Sequence, residues 1–149
     1  MSDVVLLDTD VFSFLGKVGN NTGALYQKHV VGKTIALSFV TVGELLLWPK
    51  ARNWGPQKIA DLQRRISLAQ IIPYDMHLCE TYADLKDKVT KAGSPVPDND
   101  LWIASTAVRH SIPLVTHNRR NFDNIPDLVL VCEAPKILKG QMKIGEDGS

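Results

Sequence analysis

Short apolar runs that stop at a polar residue, with helix-length stretches between them, do most to limit what this chain can fold into. Val4-Val5-Leu6-Leu7 halts at Asp8-Thr9-Asp10, and a second run, residues 34–39, leads straight into a helical pattern. Ile71-Ile72-Pro73, Leu114-Val115-Thr116 and residues 128–131 repeat the motif. The stretches between them have helical spacing: 11–15, 24–31 closed by Gly32, 40–47 stopped by Pro49, 76–92 closed by Gly93, and 101–110. Residues 56–69 give the clearest amphipathic pattern, with Ile59, Leu62, Ile66 and Ala69 on one stripe and Lys58, Asp61, Arg64 and Arg65 opposite. Strands alternating with helices predict a three-layer α/β/α sandwich around a mostly parallel sheet of about five strands. In such sheets, sites form beyond the carboxyl ends of the strands.

The 149 residues suit one domain, expected over residues 1–135. Residues 136–149 are rich in Gly, Lys and acids and are expected to be a partly disordered tail. At 44% hydrophobic and 22% charged, the chain can bury a core without disulfides. Cys79 and Cys132 are far apart and form no CxxC pair, as for reduced thiols in a cytoplasmic protein. The N-terminus lacks a basic segment followed by a long apolar one, and no run nears the roughly 18 apolar residues of a membrane span. A net charge of +1 neither favours nor excludes nucleic acid.

Four polar residues fall where a parallel sheet would gather them. Asp8 follows the first strand and Asn118 lies just past the strand ending at Thr116, while Glu44 sits about one turn into the helix after the second strand and Asp100 opens a helix pointing back at the sheet. Scattered carboxylates without a His or Cys cluster suit a hard divalent cation such as Mg²⁺ or Mn²⁺. His29, His77, His110 and His117 lack the spacing of a zinc site. Each acid also has a structural reading. Asp8 can cap the next helix, and Glu44, inside the apolar stretch 40–47, can form a buried ion pair. In Pro97-Asp98-Asn99-Asp100 the expected N-cap is Asp98 or Asn99, which leaves Asp100 within the first turn, on the same face as Ala104 and Ala107.

Taken together, Leu6-Leu7-Asp8-Thr9-Asp10, residues 38–45, Asn99-Asp100-Leu101-Trp102-Ile103-Ala104 and residues 114–122 resemble the PIN domain, and within it the VapC-type toxin ribonucleases of toxin–antitoxin pairs. The resemblance runs from about Val4 to Val131. It implies hydrolysis of RNA, tRNA among the candidates, with Mg²⁺ or Mn²⁺ held by Asp8, Glu44 and Asp100, and with Thr116 and Asn118 completing the catalytic set. Asn118 stands where the family often has a fourth acid, and an amide brings an oxygen but no charge; Asp98 or Asp123 are the candidates to compensate. Arg119 and Arg120 are candidate RNA contacts, or ordinary surface arginines, and Phe122 reads as core. The resemblance further implies a cognate antitoxin that lays an apolar segment between helices and a homodimer. The apolar stretch Leu45-Leu46-Leu47-Trp48-Pro49, followed by Trp54, suits an interface, or else the two indoles complete the core. A housekeeping RNA-processing nuclease, a structure-specific DNA nuclease and a silent interaction domain are the other readings of such a fold.

Overall fold

The computed structural model describes residues 3–136, so nearly all of the expected tail lies outside the described residues. The chain runs β1 (Val4–Leu7), α1 (Thr9–Leu15), α2 (Asn21–Val30), β2 (Thr34–Ser38), α3 (Phe39–Ala51) and α4 (Pro56–Ser67). It continues with β3 (Gln70–Ile72), α5 (Met76–Lys91), α6 (Asp98–His110), β4 (Leu114–Val115), α7 (Arg119–Phe122) and β5 (Leu130–Val131). The five strands form one sheet in the order β3-β2-β1-β4-β5, every pair parallel.

The alternation of side chains along β1 divides the core in two. Val5 and Leu7 face a cluster with Phe12, Tyr26, Leu45, Leu62 and Ile66 from α1 to α4 and with Leu37 and Val115 from β2 and β4. Leu6 faces the other way, into a cluster with Leu85, Val89, Leu101, Ile103, Ala104 and Phe122 from α5 to α7. Strands buried on both faces read as uninterrupted apolar runs, which explains their sequence signature. The small residues of α6, Ala104 and Ala107, let that helix lie close on the sheet.

Several helix limits differ from expectation by a few residues, α2 for one beginning at Asn21 rather than residue 24, and two of them have a clear physical reason. α3 does not stop at Pro49 but runs through it to Ala51. Proline lacks an N–H, yet it stands in the last turn, where only one intrahelical bond is lost. Its carbonyl is used, accepting from the Trp54 amide at 3.0 Å. α6 begins at Asp98 with Pro97 as its N-cap and no side-chain cap. Neither Asp98 nor Asn99 caps it, because both side chains are committed elsewhere. The short helix α7 was not anticipated.

Trp48 and Trp54 pack against the α1–α4 core cluster, while Leu46 and Leu47 remain 47% and 59% exposed. Cys79 and Cys132 are free thiols. No helix among the described residues is long and apolar enough to cross a membrane.

Candidate active site

The sheet order puts the topological switch point between β1 and β4: the chain leaves β1 toward β2 on one side and returns from β3 to β4 on the other. Side chains just past β1 and β4 therefore meet at the crevice where ligands of open α/β sheets bind. Asp8 and Thr116 are those side chains. The Asp8 amide donates to the Val115 carbonyl at 3.1 Å, which continues the register Leu7↔Val115 by one residue. The Thr116 hydroxyl then donates to Asp8 Oδ2 and accepts from the Asn118 amide at 3.0 Å.

The two readings of Asp8 are both true of its geometry. Oδ1 accepts from the Val11 amide at 2.8 Å and caps α1, while Oδ2 takes the Thr116 hydroxyl. Asp8 is 5% exposed. Burial pushes its pKa from 3.8 up to about 6; the Thr116 and Val11 hydrogen bonds pull it down, and the charges of Asp10 and Asp100 push it up further.

Three more carboxylates border the same polar concavity, of about 210 Å³ and lined by Asp8, Asp10, Glu44, Asp100, Asn99 and Asn118 among others. Glu44 projects from α3 and is held at both oxygens: Oε1 accepts from the Thr9 hydroxyl at 2.7 Å and Oε2 from the Asn99 amide at 3.0 Å. Among the described residues no ion pair holds Glu44. Asp100, in the first turn of α6, accepts from Asn121 Nδ2 at 2.7 Å. Burial raises its pKa; Asn121 lowers it, and Glu44 and Asp10 raise it again. None of the residues lining the pocket is basic.

The donor set is therefore all oxygen, which fits a hard divalent cation. Among the described residues, no three His, Cys, Asp or Glu side chains are drawn together into a ready cage. An ion that keeps several of its waters, as Mg²⁺ does, does not need one.

Asp98 and Asp123 do not compensate for Asn118. Asp98 turns away to Tyr82 and Lys86, both at 2.8 Å, and Asp123 faces Arg119. The fourth acid at the pocket is Asp10, whose signal was present in the spacing Asp8-Thr9-Asp10, directly after a strand. Asn99 and Asn121, which hold Glu44 and Asp100, left no periodic signal. Arg119 is engaged within the fold: Nε donates to the Ala134 carbonyl and Nη2 to that of Cys132, each at 3.0 Å. Arg120 is exposed.

The PIN domain family matches residues 5–128 of this sequence. Ribonuclease VapC2 of Rickettsia felis is 31% identical over 130 residues, covering 85% of this chain and 96% of that protein. The chain belongs to the PIN domain family, among the VapC ribonucleases. Ribonuclease VapC4 of Mycobacterium tuberculosis is 32% identical over 132 residues, 85% of this PIN domain chain and 94% of the relative. The crystal structure of VapBC2 from Rickettsia felis bound to a DNA fragment from its promoter superposes with a TM-score of 0.76 at 25% identity, covering 87% of this chain and 98% of that one.

Proposed function

We propose that this PIN domain is a metal-dependent endoribonuclease that acts as the toxin of a toxin–antitoxin pair. The observation that carries the reading is the pocket at the switch point, lined by Asp8, Asp10, Glu44 and Asp100 with no Lys, Arg or His among its described lining residues. Burial does most to raise the pKa of Asp8, and the uncompensated charges of Asp10 and Asp100 add to it. Such a cluster persists where a cation is meant to enter it.

Asp8, Glu44 and Asp100 would hold Mg²⁺ or Mn²⁺, with Asp10 adding charge from the first turn of α1. The cation, when bound, lowers the pKa of a coordinated water and offsets charge at the phosphorus. The chain's own groups set the geometry. Thr116 fixes the rotamer of Asp8, Thr9 and Asn99 fix Glu44, and Asn121 fixes Asp100, as outer partners do in metal sites generally. Asn118, held by its amide to Thr116, offers a side-chain amide to a water or a phosphate oxygen. Arg120, just beyond, is the remaining candidate for a phosphate contact.

An antitoxin would reach a basic side chain into the acidic pocket, which supplies the charge it lacks. A homodimer would cover the exposed rings of Phe39 and Tyr74, which continue through Trp102 to Tyr82 in successive ring contacts of 6.5, 6.0 and 3.8 Å. The test is direct. Purified protein should cleave RNA with added Mg²⁺ or Mn²⁺, and Asp100→Asn or a chelator should abolish cleavage without altering the circular dichroism spectrum. Full cleavage by Asp100→Asn would end the proposal.

A further inference from the structure

Tyr26 is not among the described residues lining the acidic pocket, yet its hydroxyl reaches the strand end on which that pocket is built. The side chain belongs to α2, is fully buried, and packs in the same core cluster as Val5, Leu7 and Val115. A parallel ladder spaces its hydrogen bonds evenly. Between β4 and β5 the Leu114 amide donates to the Val129 carbonyl at 2.9 Å, and the Thr116 amide to the Val131 carbonyl at 3.1 Å. That register, Leu114↔Leu130 and Val115↔Val131, assigns the next bond to the Glu133 amide and the Thr116 carbonyl. The Tyr26 hydroxyl stands in its place. It accepts from the Glu133 amide at 2.9 Å and donates to the Thr116 carbonyl at 3.1 Å. Burial pushes its pKa from 10.0 up to about 12, so the proton it donates is present at any working pH.

One proton cannot serve two acceptors, and His117 Nδ1 also lies 2.6 Å from the Tyr26 oxygen. All three contacts are satisfied together when Nδ1 carries a hydrogen and donates it. The phenol oxygen then accepts twice and gives its own proton to Thr116. α2 grips the segment after β5 at a second point, since His29 Nε2 and Lys28 Nζ reach Glu133 Oε2 at 2.7 and 3.5 Å.

We infer that Tyr26 is a positioning residue of the candidate active site: its hydroxyl, inserted as a rung between β4 and the segment after β5, sets where Thr116 and Asn118 stand. This rests on the metal-dependent ribonuclease reading above. The carbonyl that Tyr26 holds belongs to the residue whose hydroxyl donates to Asp8 Oδ2 and accepts from the Asn118 amide. A direct rung would draw the segment after β5 toward β4. The hydroxyl keeps the two apart just where the chain turns from Thr116 into α7. Packing alone would be met by phenylalanine, which has no hydroxyl to bridge the strands.

The decisive variant is Tyr26→Phe, which keeps the ring and deletes the bridge. Mn²⁺ affinity is measured by electron paramagnetic resonance, without RNA, for wild type, Tyr26→Phe, Thr116→Val and the double variant. Tyr26→Phe should weaken Mn²⁺ binding by about 10-fold, the lower end of what losing an outer partner costs. Added to Thr116→Val it should cost less than about 2-fold, because the residue it acts through is already gone. Val89→Ala, which takes methyl groups out of the α5–α7 side of the core, should lower Tm and leave Mn²⁺ affinity unchanged. In cleavage assays of Tyr26→Phe, kcat should fall while KM for RNA holds, since Tyr26 is buried away from any substrate. Unchanged Mn²⁺ affinity in Tyr26→Phe, or effects of the two substitutions that multiply in full, overturn the inference. A second measurement needs no metal. The Asn118 amide, bonded to Thr116 Oγ1, should lose hydrogen-exchange protection in Tyr26→Phe and keep it in Val89→Ala. Protection retained in Tyr26→Phe overturns the inference, whereas a wild type that binds no Mn²⁺ overturns the metal-dependent reading and leaves the exchange measurement to decide this one.

Discussion

Replacing Asp8 by Asn should make the metal-free protein more stable at neutral pH while destroying the site. Burial holds the Asp8 pKa near 6 against 3.8 for the ordinary group. Between those values the folded state binds a proton that the unfolded state has released, so stability falls as pH rises through the window from about 4 to 6 and is level above it. A displacement of about two pKa units corresponds to about 3 kcal/mol lost at pH 8. Asparagine avoids that cost. It keeps the Oδ1 bond from Val11, but its NH₂ replaces the oxygen that accepts from Thr116. The Thr116 hydroxyl, already accepting from Asn118, is left with an unused proton at a cost of about 1 kcal/mol. The net gain at pH 8 is then about 2 kcal/mol, or roughly 4–8 °C in Tm for a chain of this size. At pH 4 the order should reverse, because neutral Asp8 carries no charge penalty. Mg²⁺ at 100 times its Kd should raise wild-type stability by about 2.7 kcal/mol and do little for the variant. Thermal melts from pH 4 to 8 in EDTA and in Mg²⁺ measure all of this. An Asp8→Asn protein less stable than wild type at pH 8 in EDTA, beside a wild type indifferent to Mg²⁺, would refute the reasoning.

Thr116→Val removes the hydroxyl that lowers the Asp8 pKa, so the acid limb of the cleavage pH profile should move to higher pH; an unmoved limb would separate Thr116 from Asp8. Asn121→Ala frees Asp100 and should reduce kcat or metal affinity by about 10- to 100-fold, the usual effect of losing an outer partner. Titrating Mn²⁺ into the two proteins reads that difference. Arg119→Ala strips donors from the Ala134 and Cys132 carbonyls and should cost about 1–3 kcal/mol in urea denaturation, with RNA affinity unchanged.

The framework was legible in the sequence because a parallel sheet buried on both faces leaves an unmistakable trace. Val4–Leu7 is apolar throughout, Thr34–Ser38 is apolar at Ile35, Ala36 and Leu37, and most of the stripe of residues 56–69 became α4. Asp8, Glu44 and Asp100 were legible because acids are costly at the ends of buried strands or on faces of small residues. Asp10, Asn99 and Asn121 were not, since their roles depend on which helices meet, and nothing local marks an asparagine that will hold another residue's carboxylate. Pro49 misled because proline's cost depends on its place in a helix, and the last turn of α3 tolerates it. The bonds of Arg119 to the Cys132 and Ala134 carbonyls were not legible, because they depend on where residues 132–134 lie. Trp48 and Trp54 pack against the core while staying half-buried, and Leu46 and Leu47 of the same stretch are exposed.

The bond between Thr116 and Asp8 spans 108 positions of sequence, and that has a consequence for how the protein is made. A ribosome adds about 5–20 residues each second, so Asp8 emerges several seconds before its partner exists. In that interval β3, β2 and β1 can pair, but the β1 edge destined for β4 stays open. A nascent chain therefore carries an unfinished centre and a sticky strand edge together. Cleavage competence arrives only when the segment from Leu114 to Asn121 closes the sheet, so synthesis itself delays the enzyme, and a partner that covers the open β1 edge would meet it before it can cut anything.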